Sequence, residues 1–171
     1  KKINEVSAYQ DQLYLIFYKC SLLEDDLMDA LKAKNVNSLE QLRGAIQSAA
    51  AEGLQRLDTL KSYAGDASLI NACKASMRFF EKEAEKAAGF TDYLTAEENF
   101  NRLKTQFESD KDARKDKALV DKYNESVKKM NDGVNQYNNT NNYLNDYRTN
   151  VYKDWNNANK TFLDRHIPLA G

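Results

Sequence analysis

The sequence predicts an all-α fold, an elongated up-and-down four-helix bundle with a broken third helix and a long C-terminal helix. Three observations carry this expectation. Residues 120 to 162 hold one apolar stripe: Val120, Tyr123, Val127, Met130, Val134, Tyr137, Asn141, Leu144, Tyr147, Val151, Trp155, Ala158 and Phe162. Its steps are all threes and fours, averaging 3.5, the seam of a helix packed on other helices. One Pro and six Gly in 171 residues are too few for a loop-rich or all-β chain and favour long helices. No strand alternation and no Gly-rich phosphate loop competes with the helical pattern. The chain is read as one domain, residues 1–171, long enough to bury a core.

Helix 1 is expected from Asn4 to Lys34, with Val6, Tyr9, Leu13, Ile16, Cys20, Leu23, Leu27 and Ala30 inward. Asn35-Val36-Asn37 reads as a turn. Ser38 is placed to cap helix 2, with Gln41 closing a capping box. Helix 2 carries Leu39, Leu42, Ile46, Ala49, Gly53, Leu57 and Leu60. It ends near Tyr63-Ala64-Gly65, where Gly65 suits a left-handed cap. Asp66 or Ser68 opens helix 3, with Ile70, Cys73, Met77, Phe80, Ala84 and Ala87 inward, and Gly89 stops it. Phe90 to Leu94 reads as a connector. Thr95 and Glu98 form a second capping box before a short helix with Phe100, Leu103 and Phe107. Residues 110–117 (DKDARKDK) carry seven charges in eight positions and read as a solvated turn.

The last helix is expected from Lys115 to Arg165, ~75 Å at 1.5 Å per residue, against ~45 Å for helix 1. Helix 3 and the short helix, stacked as one broken rod of ~60 Å, would cover much of the excess. The weak point is Tyr137 to Tyr143 (YNNTNNY), because Asn competes with the backbone for hydrogen bonds. At most one interruption is expected, between Asn138 and Asn142, since the stripe keeps its phase across that segment. Asn141 on the seam is either a register device or a residue facing water.

Net charge is −1, with basic and acidic residues intermixed. A nucleic-acid binder would show a basic stripe, and a polybasic membrane surface is equally lacking. The longest apolar run, Leu13 to Tyr18, is far short of the ~20 residues of a spanning helix. Eighteen Asn and ten Tyr are present, eleven of the Asn between residues 131 and 160. This bias is read as compositional, because an aromatic surface signals binding only when it is contiguous.

Little in the chain is patterned for chemistry. The one histidine, His166, falls at the end of the last helix, where a protonated ring favours the helix dipole. Catalysis would need it beside Asp164 or Tyr152, with no nucleophile patterned around it. No Glu-x-x-His motif or EF-hand spacing offers a metal site. The acidic groups Glu24-Asp25-Asp26-Asp29 and Glu97-Glu98 lie mainly off the seams and read as solvated faces. Cys20 and Cys73 occupy seams and are expected as free buried thiols, because parallel helices 1 and 3 would offset them by ~16 Å along the axis. No catalytic, cofactor-binding or metal residue is therefore assigned, and no cofactor is expected.

The C-terminal stretch Trp155-x-x-Ala158-x-x-x-Phe162-Leu163-x-x-His166-Ile167-Pro168 resembles the end of uncharacterised helical-bundle proteins of bacterial cell envelopes, often described as lipoproteins. The resemblance implies export to the periplasm or cell surface, with a lipidated Cys upstream of Lys1. It carries no catalytic residues. The expected function is a non-enzymatic, envelope-associated structural or protein-binding module whose partner is another protein. The alternative is a sensor-type bundle holding a small apolar ligand near Ala49, Ala50 and Gly53, where small residues either let helices touch or leave a gap.

Overall fold

The computed structural model describes residues 1–168. Its helices are α1 (Lys2–Lys32), α2 (Val36–Thr59), α3 (Ser68–Lys86), α4 (Ala88–Ser109) and α5 (Lys117–His166), with one 3₁₀ turn at Ala113–Lys115. The described residues form no strand, and no helix among them is long and apolar enough to cross a membrane. The all-α bundle expected from the seams is the observed fold.

The topology follows from which ends meet. The ring of Tyr9, near the start of α1, lies 5.3 Å from Tyr63 after α2 and 5.6 Å from Phe162 at the end of α5. Gln10 donates to Asn159 at 2.8 Å. Thus α1 and α3 run one way, α2 and α5 the other. Connections are short: Asn35 accepts from the Ser38 amide at 3.1 Å and is the cap of α2. Ser38 lies inside the helix: the cap falls three residues earlier than expected, and Val36 and Asn37 belong to α2 and not to a turn. Helix α2 ends at Thr59, earlier than expected, and Ala64-Gly65 then form a tight turn. Both have positive φ, 50° and 82°, and the Asp66 amide closes the turn on the Tyr63 carbonyl at 2.8 Å. Two central residues with positive φ are where Gly is least strained.

The largest correction concerns residues 87–95. Gly89 does not stop helix 3, Phe90 to Leu94 is not a connector, and Thr95 does not open a helix. Helix α4 begins at Ala88, one residue after α3, and Ala87 between them keeps right-handed dihedrals of −64° and −17°. A single Gly costs a helix about 1 kcal/mol. Phe90 and Leu94 are 1% and 6% exposed, and each gains about 1.5–3 kcal/mol from burial. Packing therefore outweighs propensity at Gly89, and the expected break of the third helix falls at Ala87, between α3 and α4.

Helix α5 spans 50 residues without interruption, straight through Asn138 to Asn142. Asp116 caps it, accepting from the Ala118 and Leu119 amides at 3.0 and 3.4 Å. Its C-terminal half buries the predicted face: Leu144, Val151, Trp155 and Phe162 are 1%, 9%, 4% and 0% exposed. Trp155 stacks on Phe17 at 4.9 Å and 16°. Tyr137, just before the Asn run, packs on Phe90 and Tyr93 at 4.9 and 5.1 Å, and Asn141 is half-buried.

Cys20 and Cys73 are free and buried. Cys73 Sγ points at the Leu13 carbonyl, 3.6 Å away, a level of α1 two turns from Cys20, whose own Sγ lies 3.8 Å from Met77 Sδ. Burial pushes both thiols up to about 12, so they are inert hydrophobes at neutral pH.

Gly53 sets the approach of α2 to α1 and α3. An added Cβ would stand 2.8 Å from Met77 Sδ and 2.9 Å from Ile16 Cγ2. Gly53→Val is therefore expected to destabilise the fold by about 1–3 kcal/mol despite its better helix propensity. Urea unfolding followed by circular dichroism checks this, and a midpoint at or above that of the native chain would contradict the close packing.

Candidate functional site

The most unusual chemistry is a buried charge cluster joining three helices. Arg148 on α5 donates from Nε to Glu24 Oε1 on α1, and from Nη2 to Glu83 Oε2 on α3 at 2.6 Å. Tyr152, one turn further along α5, donates its hydroxyl to Glu24 Oε2. The Arg148 guanidinium also sits 5.5 Å from the centre of the Phe79 ring. The Glu24 and Glu83 side chains are 5% and 0% exposed. Glu24 thus corrects the reading of Glu24-Asp25-Asp26-Asp29 as a solvated face; the three Asp are exposed as expected.

Two carboxyl groups face one guanidinium here. Glu24 accepts from two donors, whereas Glu83 Oε1 is buried without a donor. Glu83 is consequently the member that holds a proton. Burial first, and then the nearby Glu24 carboxylate, push it up to about 8. Burial also raises the Tyr152 hydroxyl, with the Glu24 charge acting in the same direction. The cluster locks α1, α3 and α5 in register. Phe17, Phe79, Phe80 and Trp155, all buried, pack around it, and the Arg148 side chain keeps 20% exposure. Its signal was present in the sequence: Glu24 stands four residues after Cys20 and three before Leu27, itself a seam step.

His166 is the last residue of α5, at the negative end of the helix as expected. Its partner is neither Asp164, which is exposed, nor Tyr152, which belongs to the buried cluster. Nε2 lies 2.9 Å from Asp66 Oδ2 in the α2–α3 loop. The rings of Phe162 and Tyr63 flank it at 4.6 and 5.0 Å. Hydrogen bonds from Ser68, and then from His166, hold the Asp66 carboxyl well below its usual range. The pair ties the end of α5 to the loop between α2 and α3. Among the described residues no group of three His, Cys, Asp or Glu is arranged to hold a metal ion.

At Ala49, Ala50 and Gly53 the small residues bring helices together and leave no gap. Ala50 is fully buried, and the adjoining surface groove, lined by Leu15, Ile16, Lys19 and Glu52, encloses only about 40 Å³. The place proposed for an apolar ligand thus lacks the several hundred Å³ such a ligand needs. Wider open grooves lie beside α4, one of about 330 Å³ between Lys34, Val36, Leu94 and Glu97. The Lys34–Glu97 ion pair lines it, and the Tyr93 hydroxyl donates to Glu97 at 2.6 Å.

The outer surface has two apolar features. Beyond Leu94 and before Asn138, α4 and α5 continue as a two-helix arm. Phe107 and Phe100 flank Tyr123 at 4.8 and 5.8 Å, yet the arm fully buries only Leu103 and Ser126 within its two helices. Phe100, Phe107, Val120, Val127 and Met130 are only partly buried. The second feature lies on the outer face of α1, where Tyr14, Leu15, Tyr18 and Leu22 are 46%, 61%, 41% and 45% exposed.

These elements define an all-α helical bundle with a projecting helical hairpin and a buried ionic lock. No protein family, curated protein or solved structure matches the chain.

Proposed function

We propose that this chain is a non-enzymatic, envelope-associated helical module that binds another protein through its two-helix arm. One observation carries the reading: on the seam of α5, Leu144, Val151, Trp155 and Phe162 are buried against the body, whereas Val120, Tyr123, Val127, Met130 and Val134 are only partly buried in the arm. A helix pair with no third layer retains apolar surface that a further helix or sheet would cover. The balanced charge and the lack of an accessible constellation for chemistry support a binding role over catalysis. The likeness of the C-terminal stretch to envelope lipoproteins supports the location.

A photo-crosslinking residue at Met130, with a control at exposed Gln47 on α2, tests both parts. The expected result is a discrete adduct from Met130 alone, recovered with the envelope fraction. Recovery only as an uncrosslinked cytosolic protein would overturn the reading.

The arm also makes a prediction about dynamics. Backbone hydrogen bonds that lack tertiary cover open locally at low cost. In native-state hydrogen exchange, amides of residues 120–134 are expected to exchange far faster than those of residues 144–162. Uniform protection along α5 would show that the arm is as stable as the body.

A further inference from the structure

The C-terminal half of α5 is tied to the body at two points and preceded by a weak one. Its buried face, Leu144, Val151, Trp155 and Phe162, packs on α1 and α3. Arg148 clamps its near end to Glu24 and Glu83, and His166 holds its far end to Asp66. Just before this segment stands Asn138-Asn139-Thr140-Asn141-Asn142, a run of poor helix formers in which Asn138, Asn139 and Asn142 are exposed. Helical hydrogen bonds in such a run cost little to open. The other three helices of the body hold one another without α5. Gly53 brings α2 against Ile16 of α1 and Met77 of α3, and the Cys73 thiol lies on the Leu13 carbonyl.

The clamp is out of balance by one charge. Two carboxyl groups share a single guanidinium, and Glu83 Oε1 is buried with no donor. From α1, Glu24 and the Cys20 thiol face Glu83; from α5, Arg148 and the Tyr152 hydroxyl do. Among the described residues no charged group of α2 or α4 pairs with it. Burial keeps Cys20 and Tyr152 protonated and Arg148 is always charged, so one proton on Glu83 brings the clamp to neutrality.

We propose that residues 144–166 form a proton-gated strap, clamped on α1 and α3 while Glu83 carries a proton and swinging away about the Asn138–Asn142 run, with α1, α2 and α3 still packed together, once Glu83 ionises. An ionised Glu83 must share one cation with Glu24 and leaves Oε1 unpaired, and that cost is relieved by opening the cluster to solvent. Opening also presents Val151, Trp155 and Phe162 together on one face. The clamped form binds the proton more tightly than the open one, so acid closes the strap and alkali opens it.

Native-state hydrogen exchange of the full chain in low urea tests this. Protection of residues 144–162, corrected for the chemical exchange rate at each pH, is expected to fall on the order of ten- to a hundredfold from about pH 6 to about pH 8.5. At the higher pH these amides should be less protected than those of α2 and α3 and should depend less steeply on urea, the mark of a local opening. Glu83→Gln should abolish the fall, whereas His166→Gln, which keeps a donor for Asp66, should retain it. Asn139→Ala with Asn142→Ala should raise the protection of residues 144–162 several-fold by stiffening the pivot. Equal protection and equal urea dependence in α3 and in residues 144–162 overturns the strap. A fall that survives Glu83→Gln overturns the proton gate, and protection unmoved by the two Ala overturns the pivot. Loss of crosslinking at Met130 would leave all three outcomes untouched, since the arm lies on the other side of the Asn run.

Discussion

Arg148→Ala is expected to lower the stability of the fold by about 3–5 kcal/mol, the cost of leaving buried acidic groups without their cation. The variant strands Glu24 and Glu83, whose side chains are 5% and 0% exposed. Neither can turn to water without opening the contact of α1 or α3 with α5. It also removes the guanidinium from the face of Phe79, a smaller loss of about 0.5–2 kcal/mol. In a chain of this size each kcal/mol corresponds to about 2–4 °C, so the melting temperature should fall by roughly 10 °C or more. Urea denaturation gives the free energy directly. The double variant Glu83→Gln with Arg148→Ala should lose less than the sum of its parts, because residues in one network do not add. A loss below about 1 kcal/mol for Arg148→Ala would mean that the cluster is solvated like a surface ion pair.

The second large effect is a pH dependence that Glu83→Gln removes. The Glu83 carboxyl is raised from 4.5 to about 8 in the folded chain, by burial first and by Glu24 next. A group with a raised pKa binds its proton more tightly when folded. Its contribution to stability is therefore complete below the unfolded value and is lost as the pH rises toward the folded one. The native chain should weaken progressively from about pH 5 to pH 8, by an amount on the order of a few kcal/mol. Gln has nearly the same shape, can accept from Arg148 and cannot ionise. The variant should therefore show a flatter pH profile and should be the more stable protein at pH 9. Melting both proteins from pH 5 to pH 9 isolates the Glu83 contribution, because the other titrating groups are common to both. Parallel profiles would show that Glu83 is ionised throughout.

Most of the fold was legible as periodicity. The seams of α1, α2 and α3 and the buried face of α5 were readable because burial on a helix repeats at 3.6 residues whatever the partner is. The boundaries were less legible. Asn35 and Ser38 are both acceptable caps by residue type, and only the chain's path after Lys34, with φ of 53°, decided for Asn35. At Gly89 a local stop signal lost to Phe90 and Leu94, whose burial depends on α5 lying alongside. The run at Asn138 to Asn142 stayed helical for the same reason.

The buried cluster was the least legible part of the candidate site. Glu24 sits at a seam step, but an isolated acid there reads as solvated until Arg148 and Tyr152, 124 and 128 residues away, are brought against it. His166 was readable as a helix terminus, while its partner Asp66 was not, for it lies 100 residues earlier.

The amino-acid pattern by itself determined that the chain is all helical, how many long helices it has and which face of each turns inward, because these follow from local spacing and the burial of apolar side chains. Tertiary structure alone decided that the break in helix 3 falls at Ala87 and not after Gly89, that a Glu–Glu–Arg–Tyr lock spans three helices, and that the arm is only partly covered while the outer face of α1 stays exposed. Those outcomes depend on which distant side chains meet, and a charge or a glycine has no fixed preference until its neighbours set the dielectric and the space around it.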